Sequence, residues 1–224
     1  MSRRRRPKLP GNAGPLPPRA AAALRIIGGR LRGSKLRWSG DPRTRPMKDR
    51  VREAIFNLLG PAVEGKHVVD LFAGTGALAL EALSRGAAGA TLIERHYPTA
   101  GVIRGNVAAL GLDDQCEVVT ADTFIWARRR VPLPPAAWLV FSSPPYCFYE
   151  ERRRDMLDLL EGVHDRAPRG SLLVVEADGR FDFCQLPHGS DWDVRAYPPA
   201  VVGVYELPSA RGETRTPTPC GTGS

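Results

Sequence analysis

Two short stretches of this chain hold residue types that could do chemistry together. One is Asp70-Leu71-Phe72-Ala73-Gly74-Thr75-Gly76; the other, about seventy residues later, is Ser143-Pro144-Pro145-Tyr146. Gly74-Thr75-Gly76-Ala77-Leu78-Ala79 fits the pattern G-x-G-x-x-G/A between a strand and a helix. Glycines at that spacing let the backbone approach a ligand, and the helix start offers free N–H groups to it. The second stretch has the opposite polarity. Prolines donate no hydrogen bond, so the corner displays acceptor carbonyls. The Ser143 hydroxyl and the Pro144 carbonyl can take the hydrogens of a planar amino group and align its lone pair, while Tyr146 can stack on the base that carries it. The two together fit transfer of a methyl group from a sulfonium cofactor to an exocyclic nitrogen. Such a reaction is an in-line displacement driven by positioning and acceptor electrostatics. It needs no strong base, because the nitrogen acidifies as it is methylated.

Three acids extend the cofactor side. Asp70 stands at the strand end, four residues before Gly74; in methyltransferases an acid there serves the amino-acid end of S-adenosylmethionine, directly or through water. Glu94 ends the next strand, 24 residues after Asp70, beside Arg95. A carboxylate there can accept from both ribose hydroxyls and disfavours a phosphorylated ribose. Asp122 follows the third strand. It can accept from the adenine amino group, with the Thr123 N–H serving a ring nitrogen, and it can also cap the helix that follows. The cofactor-binding set is therefore Asp70, Phe72, Ala73, Gly74, Thr75, Gly76, Glu94, Arg95, Asp122 and Thr123. The catalytic set is Ser143, Pro144, Pro145 and Tyr146.

The elements that hold these residues follow from hydrophobic periodicity. Strands are predicted over 67–70, 90–94, 116–120, 138–141 and 171–176, alternating with helices over 77–85, 98–110, 124–130 and 150–164. Repeated strand–helix units imply a parallel sheet covered on both faces. Residues 192–196 and 201–207 flank Tyr197-Pro198-Pro199 and predict an antiparallel pair at the sheet edge, making seven strands. Ahead of this core, 24–27 and 30–36 read as two short strands around Gly28-Gly29. A helix follows, with Val51, Ile55, Leu58 and Leu59 inward, charge outward, and Gly60 as its stop. Residues 1–23 and 208–224 are too poor in apolar groups to order themselves. The expected organisation is thus a basic arm (1–23), an N-terminal hairpin-plus-helix extension (24–60), a core (61–207) and a tail (208–224).

Charge is divided along the same lines. The 224 residues carry a net +8, yet residues 1–52 hold sixteen Lys/Arg against two Asp/Glu, and the remainder is net acidic. A basic extension on an acidic body suits phosphate neutralisation. Its candidate RNA contacts are Arg3, Arg4, Arg5, Arg6, Arg30, Arg32, Lys35, Arg45, Lys48 and Arg50. No apolar run approaches the roughly 20 residues of a membrane span, and the basic N-terminus lacks the apolar stretch of a signal peptide. The four cysteines are scattered without metal-ligand spacing, so neither disulfide nor metal is expected.

Leu24-Arg25-Ile26-Ile27-Gly28-Gly29, Arg45-Pro46 with Asp49-Arg50-Val51-Arg52-Glu53, Asp70 to Gly76, and Glu81-Ala82-Leu83-Ser84-Arg85-Gly86-Ala87 occur in this order. In these motifs the chain resembles the RsmD-type bacterial 16S ribosomal RNA guanine-N2 methyltransferases over about residues 24–207. The resemblance implies a class I S-adenosylmethionine-dependent methyltransferase fold, Rossmann-like, with a mostly parallel seven-stranded sheet. It implies S-adenosylmethionine as donor and guanine N2 of 16S rRNA, in the 30S subunit or its assembly intermediate, as acceptor. A cytoplasmic bacterial monomer is expected. Family members carry an acid where Ser143 stands, and often Thr-Thr or Thr-Ser where Met47-Lys48 stands. Because Ser-Pro-Pro-Tyr also occurs in DNA amino-methyltransferases of the cytosine-N4 type, a DNA substrate stays open. So does a catalytically silent RNA-binding assembly factor that has lost the acid.

Overall fold

Apolar runs four to seven residues long, each bounded by a helical stretch, lie side by side in the computed structural model, which describes residues 24–41, 44 and 46–209. They are β1 (His67–Asp70), β2 (Gly89–Ile93), β3 (Cys116–Val119), β4 (Trp138–Ser142) and β5 (Leu172–Asp178), all parallel. β6 (Asp193–Tyr197) and β7 (Ala200–Glu206) complete a seven-stranded sheet in the order β3-β2-β1-β4-β5-β7-β6, with β7 antiparallel to β5. β2 and β4 are buried along their whole length, as expected for parallel strands covered on both faces.

One face packs against α1 (Asp49–Leu59), α2 (Ala77–Ser84) and α3 (Tyr97–Ala109) through Phe56, Leu80, Ile103 and Phe141. The other packs against α4 (Thr123–Arg128) and α6 (Arg153–His164) through Trp126, Val140, Met156 and Leu160. A single turn, α5 (Phe148–Glu151), precedes α6. The predicted 150–164 helix is thus broken at Arg152, which leaves helical geometry at φ −129° and ψ 30°. There its guanidinium lies over the Phe124 ring at 3.8 Å and bonds Asp155. No helix among the described residues is long and apolar enough to cross a membrane.

The N-terminal extension departs from expectation in two ways. Its hairpin has only one ladder bridge, Arg25 to Lys35, and residues 30–33 form a turn rather than a second strand. Arg30 and Arg32 therefore sit on the turn and not along a second strand. The hairpin is held from outside. The Ser84 carbonyl accepts from Arg30 N (2.8 Å), and the Ser84 hydroxyl donates to the Gly28 carbonyl (2.6 Å). Gly29 needs its positive φ of 72°, and a Cβ there would lie 2.0 Å from the Ser84 carbonyl oxygen.

The second departure is Arg52. Expected on the outer face of α1, it is fully buried. Glu81 of α2, also fully buried, accepts from the backbone N–H groups of Ile27 and Gly28 (2.7 Å each) and from Arg85 Nε (2.8 Å). Arg52 Nε lies 3.8 Å from the Glu81 carboxylate, and its Nη2 donates to the Arg25 carbonyl and to Asp49. Desolvation lowers the Arg52 pKa, opposed by the nearby Asp49 and Glu81 carboxylates. Removing one partner of such a buried pair leaves the other charge uncompensated, at a cost of about 3–5 kcal/mol. Glu81→Gln should lower unfolding free energy by about that amount in denaturant titration, and amide exchange over residues 24–36 should accelerate more than over β4.

Candidate active site

The chain runs from β1 outward through β2 to β3, then returns to β4 on the other side of β1. At that reversal the loops after β1 and β4 diverge and leave a crevice at the carboxyl ends of the strands, where open α/β sheets bind ligands. A cavity of about 940 Å³ lies there. Phe72, Ala73, Gly74, Thr75, Glu94, Arg95, Asp122, Thr123, Ser143, Pro144, Pro145 and Tyr146 all line it. The strand ends bring together residues that are 74 positions apart in the chain.

Asp70 and Gly76 do not line it. Gly76 has φ 74°, and a Cβ on it would meet Ile103 at 3.0 Å. Its role is to let α2 start close against α3, not to admit a ligand. Asp70 lies beneath the loop, only 1% exposed. The N–H groups of Phe72 and Ala79 face it, but neither carboxylate oxygen closes a hydrogen bond of standard geometry. Burial, with the neighbouring Glu94 carboxylate adding to it, pushes the Asp70 pKa up to about 7.

Glu94 straps the glycine loop to the end of β2. It accepts from Gly74 N (2.9 Å) with one oxygen and from His96 N (2.7 Å) with the other. An ionised carboxylate has about four acceptor positions, so two stay available toward the cavity. Asp122 does cap α4: its Oδ1 accepts from Phe124 N (3.0 Å) and Ile125 N (3.2 Å). Its Oδ2 is free of that duty. The Thr123 hydroxyl donates to the Leu71 carbonyl and ties α4 to the loop after β1.

The Pro-Pro corner leads directly into α5. The Pro145 carbonyl accepts from Phe148 N (2.9 Å) and the Tyr146 carbonyl from Tyr149 N (3.2 Å). Among the described residues none donates to the Pro144 carbonyl, so the acceptor expected from the sequence is available. The Tyr146 hydroxyl donates to Glu176 Oε1 at 2.7 Å. Desolvation and that carboxylate together raise the Tyr146 pKa well above its ordinary value.

Of the basic candidates, Lys48 lines the cavity. Arg30, Arg32, Lys35 and Arg50 are exposed on the surface, Arg30 bonded to Gln115 and Arg50 to the Pro198 carbonyl. Arg3, Arg4, Arg5, Arg6 and Arg45 lie outside the described residues. Several lining residues escape a sequence reading. Phe124 and Phe148 join the expected Phe72 in an aromatic wall with ring centroids 5.9–6.2 Å apart, Phe72 edge-to-face to both. Thr44, Met47, Val51 and Pro199 close the rim. Glu176, at the far end of β5, lines the cavity too. The signal that singles out Asp70 and Glu94, an acid ending an apolar strand, is present there as well.

This sheet order, with its loops gathered on one crevice, is the class I methyltransferase architecture, the fold of S-adenosylmethionine-dependent methyltransferases. An RNA methyltransferase from Salinibacter ruber, solved with S-adenosyl-L-homocysteine, shares it at a TM-score of 0.52 and 18% identity, over 76% of this chain and 98% of that one. Within the class, residues 24–192 match the family described as conserved hypothetical protein 95, and the chain belongs to that family. The solved structure of yhhF from Escherichia coli is similar at 30% identity with a TM-score of 0.69, covering 84% of this chain and 99% of that one. Ribosomal RNA small subunit methyltransferase D of Escherichia coli K12 is 42% identical over 123 residues, 55% of this chain. In that match the chain spans 60% of the relative's length.

Asp70 sets a pH test. Its folded pKa of about 7 exceeds its ordinary 3.8. Its contribution to stability is therefore full below about pH 4 and is lost as pH rises through about 7. Asn carries no such cost at any pH. Asp70→Asn should melt several degrees above the unsubstituted protein at pH 8 without ligand, and the gap should shrink toward pH 5 in thermal denaturation.

Proposed function

We propose that this protein transfers a methyl group from S-adenosylmethionine to the exocyclic N2 of a guanine in 16S ribosomal RNA of the small subunit. One observation carries the reading. The glycine loop, Glu94, Asp122 and the Ser143-Pro144-Pro145-Tyr146 corner all line a single cavity. The name of the Escherichia coli relative points to small-subunit ribosomal RNA as the substrate class.

The residues present fit the cofactor. The free Oδ2 of Asp122 accepts from the adenine amino group, and the Phe124–Phe148 wall packs the ring. Glu94 takes the ribose hydroxyls on its remaining lone pairs. The orphaned Asp70 carboxylate, behind the loop, serves the amino-acid end through the backbone or water. When bound, S-adenosylmethionine would supply an electrophilic methyl on its sulfonium sulfur; the amino nitrogen would bond that carbon as the C–S electrons pass to sulfur, and its proton would pass to solvent. The chain's work is alignment. The Pro144 carbonyl and the Ser143 hydroxyl hold the amino hydrogens, and the Tyr146 ring carries the base. Exposed Arg30, Arg32, Lys35 and Arg50 and the basic arm meet phosphates, an attraction that weakens with salt.

Ser143 itself favours a second reading, a DNA amino group as acceptor. Methyl uptake by 30S particles lacking the modification, set against duplex DNA and followed by nucleoside analysis, separates the two. N2-methylguanosine is the expected product. A hydroxyl is a weaker acceptor than a carboxylate, so Ser143→Asp should keep or raise turnover on 30S particles, and complete loss in that variant refutes the assignment of the corner. Asp122→Ala should weaken cofactor binding several-fold by calorimetry; unchanged affinity would leave Asp122 a helix cap alone.

A further inference from the structure

The cavity holds a carboxylate that the cofactor does not need. Adjacent strands are about 4.8 Å apart. With the order β3-β2-β1-β4-β5, Glu176 at the end of β5 lies about three strand spacings from Glu94 and about four from the end of β3. It is one spacing from the Pro-Pro corner after β4. The ribose and adenine groups therefore lie out of its reach, and the acceptor base lies within it.

Glu176 is also aimed. The Tyr149 hydroxyl donates to its backbone carbonyl at 3.1 Å, and the Tyr146 hydroxyl donates to its Oε1 at 2.7 Å. Both tyrosines belong to the turn that the Pro-Pro corner begins. Tyr149 fixes the backbone of Glu176 and Tyr146 holds its side chain, which lines the cavity. Oε2 takes no hydrogen bond or ion pair from the described residues. A half-buried acid whose side chain is held by one hydroxyl and whose backbone is held by another, with one oxygen left over, is an acceptor for neighbouring N–H donors.

We propose that the Glu176 carboxylate reads the acceptor base, taking hydrogen bonds from the N1–H and one N2–H of a guanine. This inference rests on the guanine-N2 reading above. The chemistry is specific. Guanine presents two adjacent donors on that edge, and a carboxylate offers two adjacent acceptors. Adenine presents a ring-nitrogen acceptor instead and would meet the carboxylate lone pair to lone pair. With one N2 hydrogen on Glu176 and the other on the Pro144 carbonyl, both lie in the base plane. The nitrogen lone pair then stands perpendicular to it, toward the methyl donor. Glu176 thus supplies the negative acceptor that Ser143 does not.

The experiment compares methyl transfer to unmodified 30S particles by the full chain and its Glu176→Gln, Tyr146→Phe, Ser143→Asp and Ser143→Asp/Glu176→Gln variants, with cofactor affinity measured alongside. Charge-assisted and bidentate base contacts of this kind are worth about 10- to 100-fold. Glu176→Gln should lose about that factor in kcat/KM while cofactor affinity stays within about twofold. Ser143→Asp should restore part of the loss by returning a carboxylate to the same cavity. Tyr146→Phe removes the same Tyr146–Glu176 hydrogen bond. If Glu176 only anchors Tyr146, the two single variants will match and the proposal falls. It falls too if Glu176→Gln transfers at the full rate, or if its loss lies in cofactor affinity. No transfer to 30S particles by the unsubstituted protein overturns the guanine reading itself, and the role of Glu176 with it.

Discussion

Glu81 has no contact with solvent, and every direction in which it could look holds a donor. Two backbone N–H groups of the hairpin, the Arg85 guanidinium and the Arg52 guanidinium converge on it. Because it sits on α2, it fixes the extension to the helix that begins at the glycine loop. α1 then takes its place through Arg52, and the segment before α1 forms part of the cavity rim. Without that carboxylate Arg52 would be a buried charge beside an unsecured hairpin. The rim at Met47, Lys48 and Val51 would lose its support.

The crevice is a consequence of topology, whereas its chemistry comes from strand ends. Glu94 and Asp122 lie on the β2–β3 side, Ser143 to Tyr146 after β4, and Glu176 on β5. Each is anchored by a backbone or side-chain bond before any ligand enters: Glu94 by Gly74 and His96, Asp122 by Phe124, Glu176 by Tyr146. Bonds already made in this way limit the ordering that a bound ligand would impose.

The core elements were legible because parallel strands buried on both faces are continuous apolar runs, and glycines mark where the helices end. Strand bounds agree with expectation to within about two residues at each end. Two kinds of feature were not legible. Arg52 reads as an outward charge because its burial depends on Glu81, twenty-nine positions away and on another helix. The hairpin reads as two strands because short runs flank Gly28-Gly29, yet the backbone N–H groups of Ile27, Gly28, Arg30 and Leu31 turn outward to Glu81 and Ser84. The same limit applies at the site. Asp70, Glu94 and Asp122 stand beside recognisable motifs, whereas Glu176, though it too lies near the end of an apolar strand, joins them only through β5's position next to β4.

The cavity rim joins the first and last elements of the described fold. Arg50 bonds the Pro198 carbonyl, and Lys48, Val51, Pro199 and Ala200 line the same cavity. A chain emerging from the ribosome completes β1 to β3, with the glycine loop, Glu94 and Asp122, well before it makes the β6–β7 turn. The β1–β3 side of the crevice is therefore made from residues that emerge before those of the Pro199–Ala200 rim. Only the last pair of strands closes it, so the enclosure belongs to the finished protein and to no shorter N-terminal fragment.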